Sequence, residues 1–477
     1  MKKRIIQIFM FLTLFFTIFG CVNYVFRDKG ESHTTYSYKD ERKNSIDVIF
    51  LGSSQIVRSV MPMRIWEDTG IPSYNLSASA TSIPQMYYLA ELALETQSPK
   101  VIIADMSWID YGEKIVGNER FHSVFDNFTF SPAKYKAVVN LVEKEKWLEM
   151  FMPIYIYHSG WQNIAKDNFK SLHDTVGLKG SDLANTTYPM IYSESSTDEC
   201  AEIPDVAMEY TKKLVKLCKE NDITLVFTAI PTANHTGDNY AGNYQSYLNA
   251  LDEYAKEEKI AFYNGYIDAA HWGLDYYDDF IDPAHTNVRG AEKVTRKMEE
   301  ILSNYQLDDK RDYSEYKGWN SIAGIFDEYY KDLCGYKQYN NGEIIDFKLG
   351  GNSDDYFVAG LLAPEETHRW NSFFRADAFM IFEEIPEETD ETVISIKING
   401  IFPGSETQNL SLYINDECIG ERDCSNEIKD YYYKIPRNVI KKGINLVSLR
   451  FTSIDSSIDY ENPKPSIALS EMKINWE

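Results

Sequence analysis

The sequence predicts two folds in series, an α/β domain built on a three-layer parallel sheet and a C-terminal β-sandwich of the jelly-roll kind. Three observations carry this. Short apolar runs, each followed by a polar cluster, alternate with helical periodicity through the first two-thirds of the chain. From Gly342 onward the pattern changes to short alternating segments separated by Gly, Asn, Pro and charged turns. At 477 residues, the chain is long enough for more than one core.

In the first region, Asp47 to Leu51 reads as a buried strand and Tyr74-Asn75-Leu76 as a short second one. Ser82 to Ala93 has apolar residues at helical spacing, Val101 to Asp105 is a third strand, and Thr224 to Thr228 a fourth. Open parallel sheets place ligands beyond the C-terminal ends of their strands. That edge then collects Ser54, Ser77, Asp105 and His285.

Two segments carry the chemistry. Gly52-Ser53-Ser54 follows the first strand, and Asp282-Pro283-Ala284-His285 lies far downstream. A serine hydroxyl is a weak nucleophile until a neutral imidazole takes its proton, and a carboxylate three residues from that imidazole can hold the tautomer this requires. Ser54 is therefore the expected nucleophile, His285 its base and Asp282 the group that orients His285, with Ser53 the alternative nucleophile. Gly52 suits the tight strand-to-helix turn. Taken alone, Gly-Ser-Ser is common in loops and Asp-x-x-His often forms a turn; their order and spacing together point to acyl transfer. Ser54, Ser77 and Asp105, through backbone or side chain, are the expected oxyanion contacts.

These segments resemble the SGNH (GDSL-like) hydrolase superfamily over about residues 44 to 305. Gly52-Ser53-Ser54 is similar to its first block with serine in place of the usual aspartate, and Asn75-Leu76-Ser77 to its second with serine in place of glycine. Asp282-x-x-His285 and the following Thr286 to Lys293 are similar to its last block, whereas Ala104-Asp105-Met106-Ser107 lacks the asparagine of the third. Within the superfamily the likeness is to cell-surface members such as the D-alanyl transfer protein of teichoic-acid operons and the alginate-acetylation proteins. Tyr157 to Trp161 and Lys179-Gly180 share in it; His158 and Trp161 read equally well as packing an insertion between the third and fourth strands. The resemblance implies transfer of an acyl group, acetyl above all, to a hydroxyl of a surface polysaccharide, with a membrane-bound O-acyltransferase as partner on the donor side. A glycan O-acyl esterase would use the same three residues, and a non-catalytic glycan-binding scaffold is the reading of a different class.

Lys2, Lys3 and Arg4 precede an apolar run from Ile5 to Phe26, long enough to span the hydrocarbon with its basic end cytoplasmic. An uncleaved anchor is expected; lipidation at Cys21 within Ile18-Phe19-Gly20-Cys21 and a cleaved signal peptide are the alternatives. Residues 1–43 are then anchor and stalk, 44–305 the catalytic domain, 306–340 a linker and 341–477 the sandwich. The net charge of −25, from 73 acidic against 48 basic residues, argues against a nucleic-acid partner. The six cysteines have no zinc-like spacing, and Cys418 and Cys424 are either a hairpin disulfide or free thiols. No nucleotide or redox cofactor motif is present, and the proposed chemistry requires no metal.

The second region resembles the carbohydrate-binding-module jelly rolls of bacterial glycan enzymes, on Gly360, Pro364-Glu365-Glu366-Thr367-His368-Arg369-Trp370 and Ser466 to Leu469. Arg369 and Trp370 are candidates for a sugar platform. The competing reading makes Trp370 core and pairs Arg369 with Glu365 or Glu366.

Overall fold

A computed structural model of the chain describes residues 2–26, 33–115, 117–152, 154–189, 197–232, 240–267, 269–372, 374–383, 392–401, 408–451 and 466–476. The chain forms two compact units. One comprises Met1–Ala184, Tyr192–Asp275 and Asp282–Tyr329; the other comprises Asn185–Ile191, Tyr276–Ile281 and Tyr330–Glu477.

The first unit is an α/β fold on a five-stranded sheet: β1 Val48–Leu51, β2 Ser73–Asn75, β3 Val101–Asp105, β4 Thr224–Ala229 and β5 Ala261–Asn264. The order is β2-β1-β3-β4-β5 and every pairing is parallel. All four residues of β1 and all five of β3 are buried. This is why β1 and the first four residues of β3 read as apolar runs, since a central parallel strand has helices on both faces. Chain order reverses at β1, so right-handed crossovers place the β1–β2 connection on one face and the β1–β3 progression on the other. The crevice at that reversal, beyond the C-terminal ends of β1 and β3, is where such sheets bind ligands.

The segment read as linker is partly folded onto this unit. Lys310 pairs with the buried Asp47 at 2.7 Å, and Tyr316 and Trp319 pack on Trp66 with ring centroids 5.5 and 5.2 Å away. At the N-terminus, Lys2–Phe26 is one helix with mean hydropathy 2.4 over its apolar span, long and apolar enough to cross a membrane.

The second unit contains two facing sheets. One runs Phe357–Ala359, Arg375–Phe382, Gly443–Phe451, Gln408–Ile414 and Glu417–Cys424, with Lys337–Gln338 beside Arg375–Phe382. The other runs Arg369–Trp370, Ile467–Trp476, Thr392–Ile401 and Lys429–Ile435, with Ile344–Asp346 beside Ile467–Trp476. Alternation puts Ile394, Ile396 and Ile398 inside, against Leu410, Leu412 and Leu449 of the other sheet's core. Gly360 has φ +88°, and a Cβ there would lie 2.0 Å from the Arg375 carbonyl oxygen, so glycine is required.

Of the two alternatives for Cys418 and Cys424 the free thiols hold, and the pairing read for Arg369 is corrected. Cys418 and Cys424 are free thiols on one strand, Glu417–Cys424; six residues of extended chain separate them by about 20 Å, too far for a disulfide. Arg369 is buried, and its guanidinium donates to Leu362 O, Ser353 Oγ and the carboxylate of Asp354. It pairs with neither Glu365 nor Glu366 and has no free face for a sugar. Trp370 is half-buried, edge-on to the His368 ring at 5.2 Å.

Candidate active site

Gly52 ends β1 and Ser53 caps the helix Ser54–Ser59, its Oγ accepting from Gln55 N. A Cβ at Gly52 would stand 2.5 Å from Ile56 Cγ1 and 2.9 Å from Asp105 Cβ, so only glycine allows the turn to close this tightly beside β3. Ser53 is buried and its Oγ accepts the cap hydrogen bond, so of the two serines it is Ser54 that meets an imidazole. Ser54, the next residue, points the other way.

Ser54 Oγ lies 2.8 Å from His285 Nε2, and His285 Nδ1 lies 2.9 and 3.0 Å from the two carboxylate oxygens of Asp282. An ionised carboxylate only accepts, so the imidazole proton sits on Nδ1, Nε2 is the acceptor, and the Ser54 hydroxyl donates to it. Asp282 Oδ1 also accepts from Ala284 N at 2.8 Å and His285 N at 3.0 Å. The same carboxylate therefore shapes the turn and orients the ring. The Asp282 side chain is 45% exposed and that of His285 26%, so this pair works in contact with water rather than in a sealed pocket.

The residues after His285 tie it to the serine helix. Thr286 Oγ1 bonds Ser59 Oγ at 2.9 Å, and Thr295 Oγ1 accepts from Met61 N at 3.0 Å. Asn287 caps the helix Val288–Leu302 by accepting from Arg289 and Gly290 N. Two segments 231 residues apart are thereby fixed in hydrogen-bonding register.

Ser77 and Asp105 reach this edge of the sheet but do not offer side-chain donors. Ser77 is buried and its hydroxyl donates to Phe50 O at 3.2 Å, leaving only its backbone N–H for an oxyanion. The Ser54 N–H begins a helix, where no intrahelical acceptor exists. Asp105 Oδ1 accepts from Ser107 Oγ at 2.6 Å and Ile230 N at 3.1 Å, joining the ends of β3 and β4. Its side chain is an acceptor that braces the rim, so of the two expected contributions only the backbone one stays open to it.

Burial pushes the Asp105 carboxyl up to about 6, against opposing hydrogen bonds from Ser107 and Ile230. Since its folded value exceeds the unfolded one near 3.9, ionisation costs stability, and the cost grows as pH rises from about 4 to about 6 and stays constant above. Asp105→Asn is expected to gain up to about 3 kcal/mol over wild type at pH 8 and to lose that advantage below pH 4. Urea unfolding at both pH values measures it; an equal difference at the two would contradict the assignment.

A cavity of about 250 Å³ opens beside the serine, lined by Gln55, Ser107, Trp108, Asp110, Tyr111, Thr232, Tyr244, Tyr266 and Ala284. Gln55 follows Ser54 and Ala284 precedes His285, so the chain neighbours of both residues line it. Tyr244 and Tyr266 meet edge-on at 4.8 Å, and Tyr244 Oη donates to Ser107 O at 2.7 Å. Sequence reasoning missed this wall because its aromatics come from the ends of two strands and from the helix Tyr240–Glu258; Ser107-Trp108 directly after β3 was the one available signal. Among the described residues no group of three or more His, Cys, Asp or Glu side chains is arranged to hold a metal ion.

No family model matches the chain, and no curated protein matches it. Among solved structures it is similar to a protein of Bacteroides fragilis NCTC 9343 provisionally described as an acylhydrolase, with 11% identity over 56% of this chain and 94% of that one and a TM-score of 0.29. A family 35 carbohydrate-binding module from an environmental isolate shares 14% identity over 29% of this chain and 84% of that one, with a TM-score of 0.17. An acetyl xylan esterase from the rumen bacterium Butyrivibrio proteoclasticus shares 13% over 29% and 33% of the respective chains, with a TM-score of 0.19. At these scores the reading of the site rests on its own geometry.

Proposed function

We propose that this chain is a membrane-anchored, extracytoplasmic serine O-acyltransferase that moves an acyl group, most simply acetyl, onto a hydroxyl of a cell-surface polysaccharide. The observation that carries the reading is the unbroken relay from Ser54 Oγ through His285 to Asp282, with an aromatic-lined cavity beside it. Ser54 Oγ attacks the acyl carbonyl while His285 Nε2 takes its proton. The Ser54 and Ser77 N–H groups receive the developing oxyanion, and the imidazolium returns the proton to the leaving group as the carbon–oxygen bond breaks. In the second half, His285 deprotonates the acceptor hydroxyl, which attacks the acyl-serine, and the imidazolium returns that proton to Ser54 Oγ as its bond to the acyl carbon breaks.

The cavity suits the acceptor. It falls below the ~300 Å³ at which pockets for drug-sized ligands begin, which matches one sugar ring or a short acyl chain better than a fatty acyl group. Trp108 and Tyr111 give it partly exposed aromatic rings, the kind of surface that a pyranose stacks on. The apolar N-terminal helix supports an anchor, and the resemblance to surface acylation proteins supplies the partner, a membrane-bound O-acyltransferase that presents the donor. The sandwich unit is read as a glycan-binding module whose contact residues are not Arg369.

The exposure of His285 and Asp282 favours a second reading, glycan O-acyl esterase, because water reaches the same base. Partition of the acyl group separates the two. Detergent-solubilised full-length protein given an activated acetyl ester and a polysaccharide acceptor is expected to yield acetylated glycan in place of much of the free acetate. Acetate alone, at a rate independent of acceptor, would assign the esterase.

A further inference from the structure

Residues 147–170 connect two parts of the first unit through short helices, Trp147–Phe151 and Ile154–Tyr157, followed by 3-10 turns at His158–Asn163 and Lys166–Phe169. Aromatic residues at this density would ordinarily be packed inside. Here they face outward: Leu148, Met152, Tyr155, Trp161, Ile164 and Phe169 are all exposed, Trp161 at 62% and Phe169 at 64%. Trp161 does not pack the insertion, one of its two readings, and His158 bonds Tyr155 O at 2.6 Å. A soluble surface rarely leaves so many large apolar side chains in one short stretch.

The position of the stretch says what covers it. Tyr24 Oη, in the last turn of the N-terminal helix, donates to Lys170 O at 3.0 Å and accepts from Leu172 N at 3.2 Å. Asn168 Nδ2 donates to Val25 O at 3.0 Å, and a Cβ at Gly160 would lie 3.2 Å from Phe26 O. Trp161 and Phe169 are each one residue from these clasps. The apolar helix Lys3–Phe26 has 24 residues, about 36 Å at helical rise, somewhat more than a ~30 Å hydrocarbon core. With Lys3 and Arg4 at the cytoplasmic end, its last turn emerges in the outer headgroup layer. Whatever is clasped to that turn lies at the same depth, where tryptophan and tyrosine are favoured. In a chain of net charge −25, residues 147–170 carry two lysines against two carboxylates, so the stretch is not repelled by an anionic surface.

We propose that residues 147–170 form a foot that sits in the outer lipid headgroup layer, resting the first unit on the bilayer instead of leaving it free on a stalk. The proposal depends on the N-terminal helix crossing the membrane, and one experiment separates the two claims. Full-length protein is reconstituted into nanodiscs of phosphatidylcholine and phosphatidylglycerol whose acyl chains are brominated at a shallow or a deep position. The N-terminal helix contains no tryptophan, so quenching of tryptophan emission reports the rest of the chain. Shallow bromine is expected to quench wild type more than deep bromine does, and this excess should largely disappear in Trp161→Phe, a conservative change at an exposed site. Failure to incorporate into discs would overturn the anchor and the foot together. Incorporation with the same quenching in wild type and Trp161→Phe would keep the anchor and overturn the foot, as it would if a protein partner covered the patch.

Discussion

Ser54→Ala is expected to lower turnover of an activated acyl ester by on the order of 10⁴-fold or more while leaving the fold intact. The change removes one oxygen from a side chain whose only described partner is His285 Nε2, so no core contact is lost with it. The Ser53 cap remains, because its oxygen serves Gln55 N and not the substrate. Ser53→Ala is the control and should cost helix stability of about 1 kcal/mol with little loss of turnover in folded protein. Reversed effects for the two variants would move the nucleophile by one residue.

Asp282→Asn is expected to reduce turnover by roughly 10²–10⁴-fold with little change in KM. An amide in place of the carboxylate can turn its NH₂ toward Nδ1, which then becomes an acceptor and puts the ring proton on Nε2, where it blocks transfer from Ser54. The exposure of this side chain makes the electrostatic part of the loss smaller than in a sealed site, since solvent screens the charge. The amide oxygen can still accept from Ala284 and His285 N, so the turn should survive. Rates equal to wild type across pH would reduce Asp282 to a turn-former.

The reading of the sequence reached furthest where a local pattern and a tertiary demand coincide. β1 is apolar throughout and β3 up to Asp105 because both faces are covered, and the turn at Gly52 to Ser54 follows the end of β1. The Asp282-x-x-His285 turn was legible because one carboxylate serves both backbone and ring within four residues. β5, Ala261–Asn264, escaped notice because it is short and partly exposed, its apolar run being only the few residues Ile260 to Tyr263. Asp354 could not be foreseen as the partner of Arg369, fifteen residues away on a 3-10 turn. Tyr276–Ile281, which directly precede Asp282, group with the sandwich strands: Asp278 pairs with Arg375 at 2.9 Å. Such pairings depend on how distant strands align, which no local periodicity records.

Reaction of the full-length protein with a fluorophosphonate, followed by peptide mass spectrometry, tests the central claim most directly, because phosphonylation requires a serine activated by its own base. A single adduct on Ser54, absent from His285→Ala and from protein unfolded beforehand, is the predicted result. A folded protein that takes up no reagent, or takes it up on a serine other than Ser54, would contradict it.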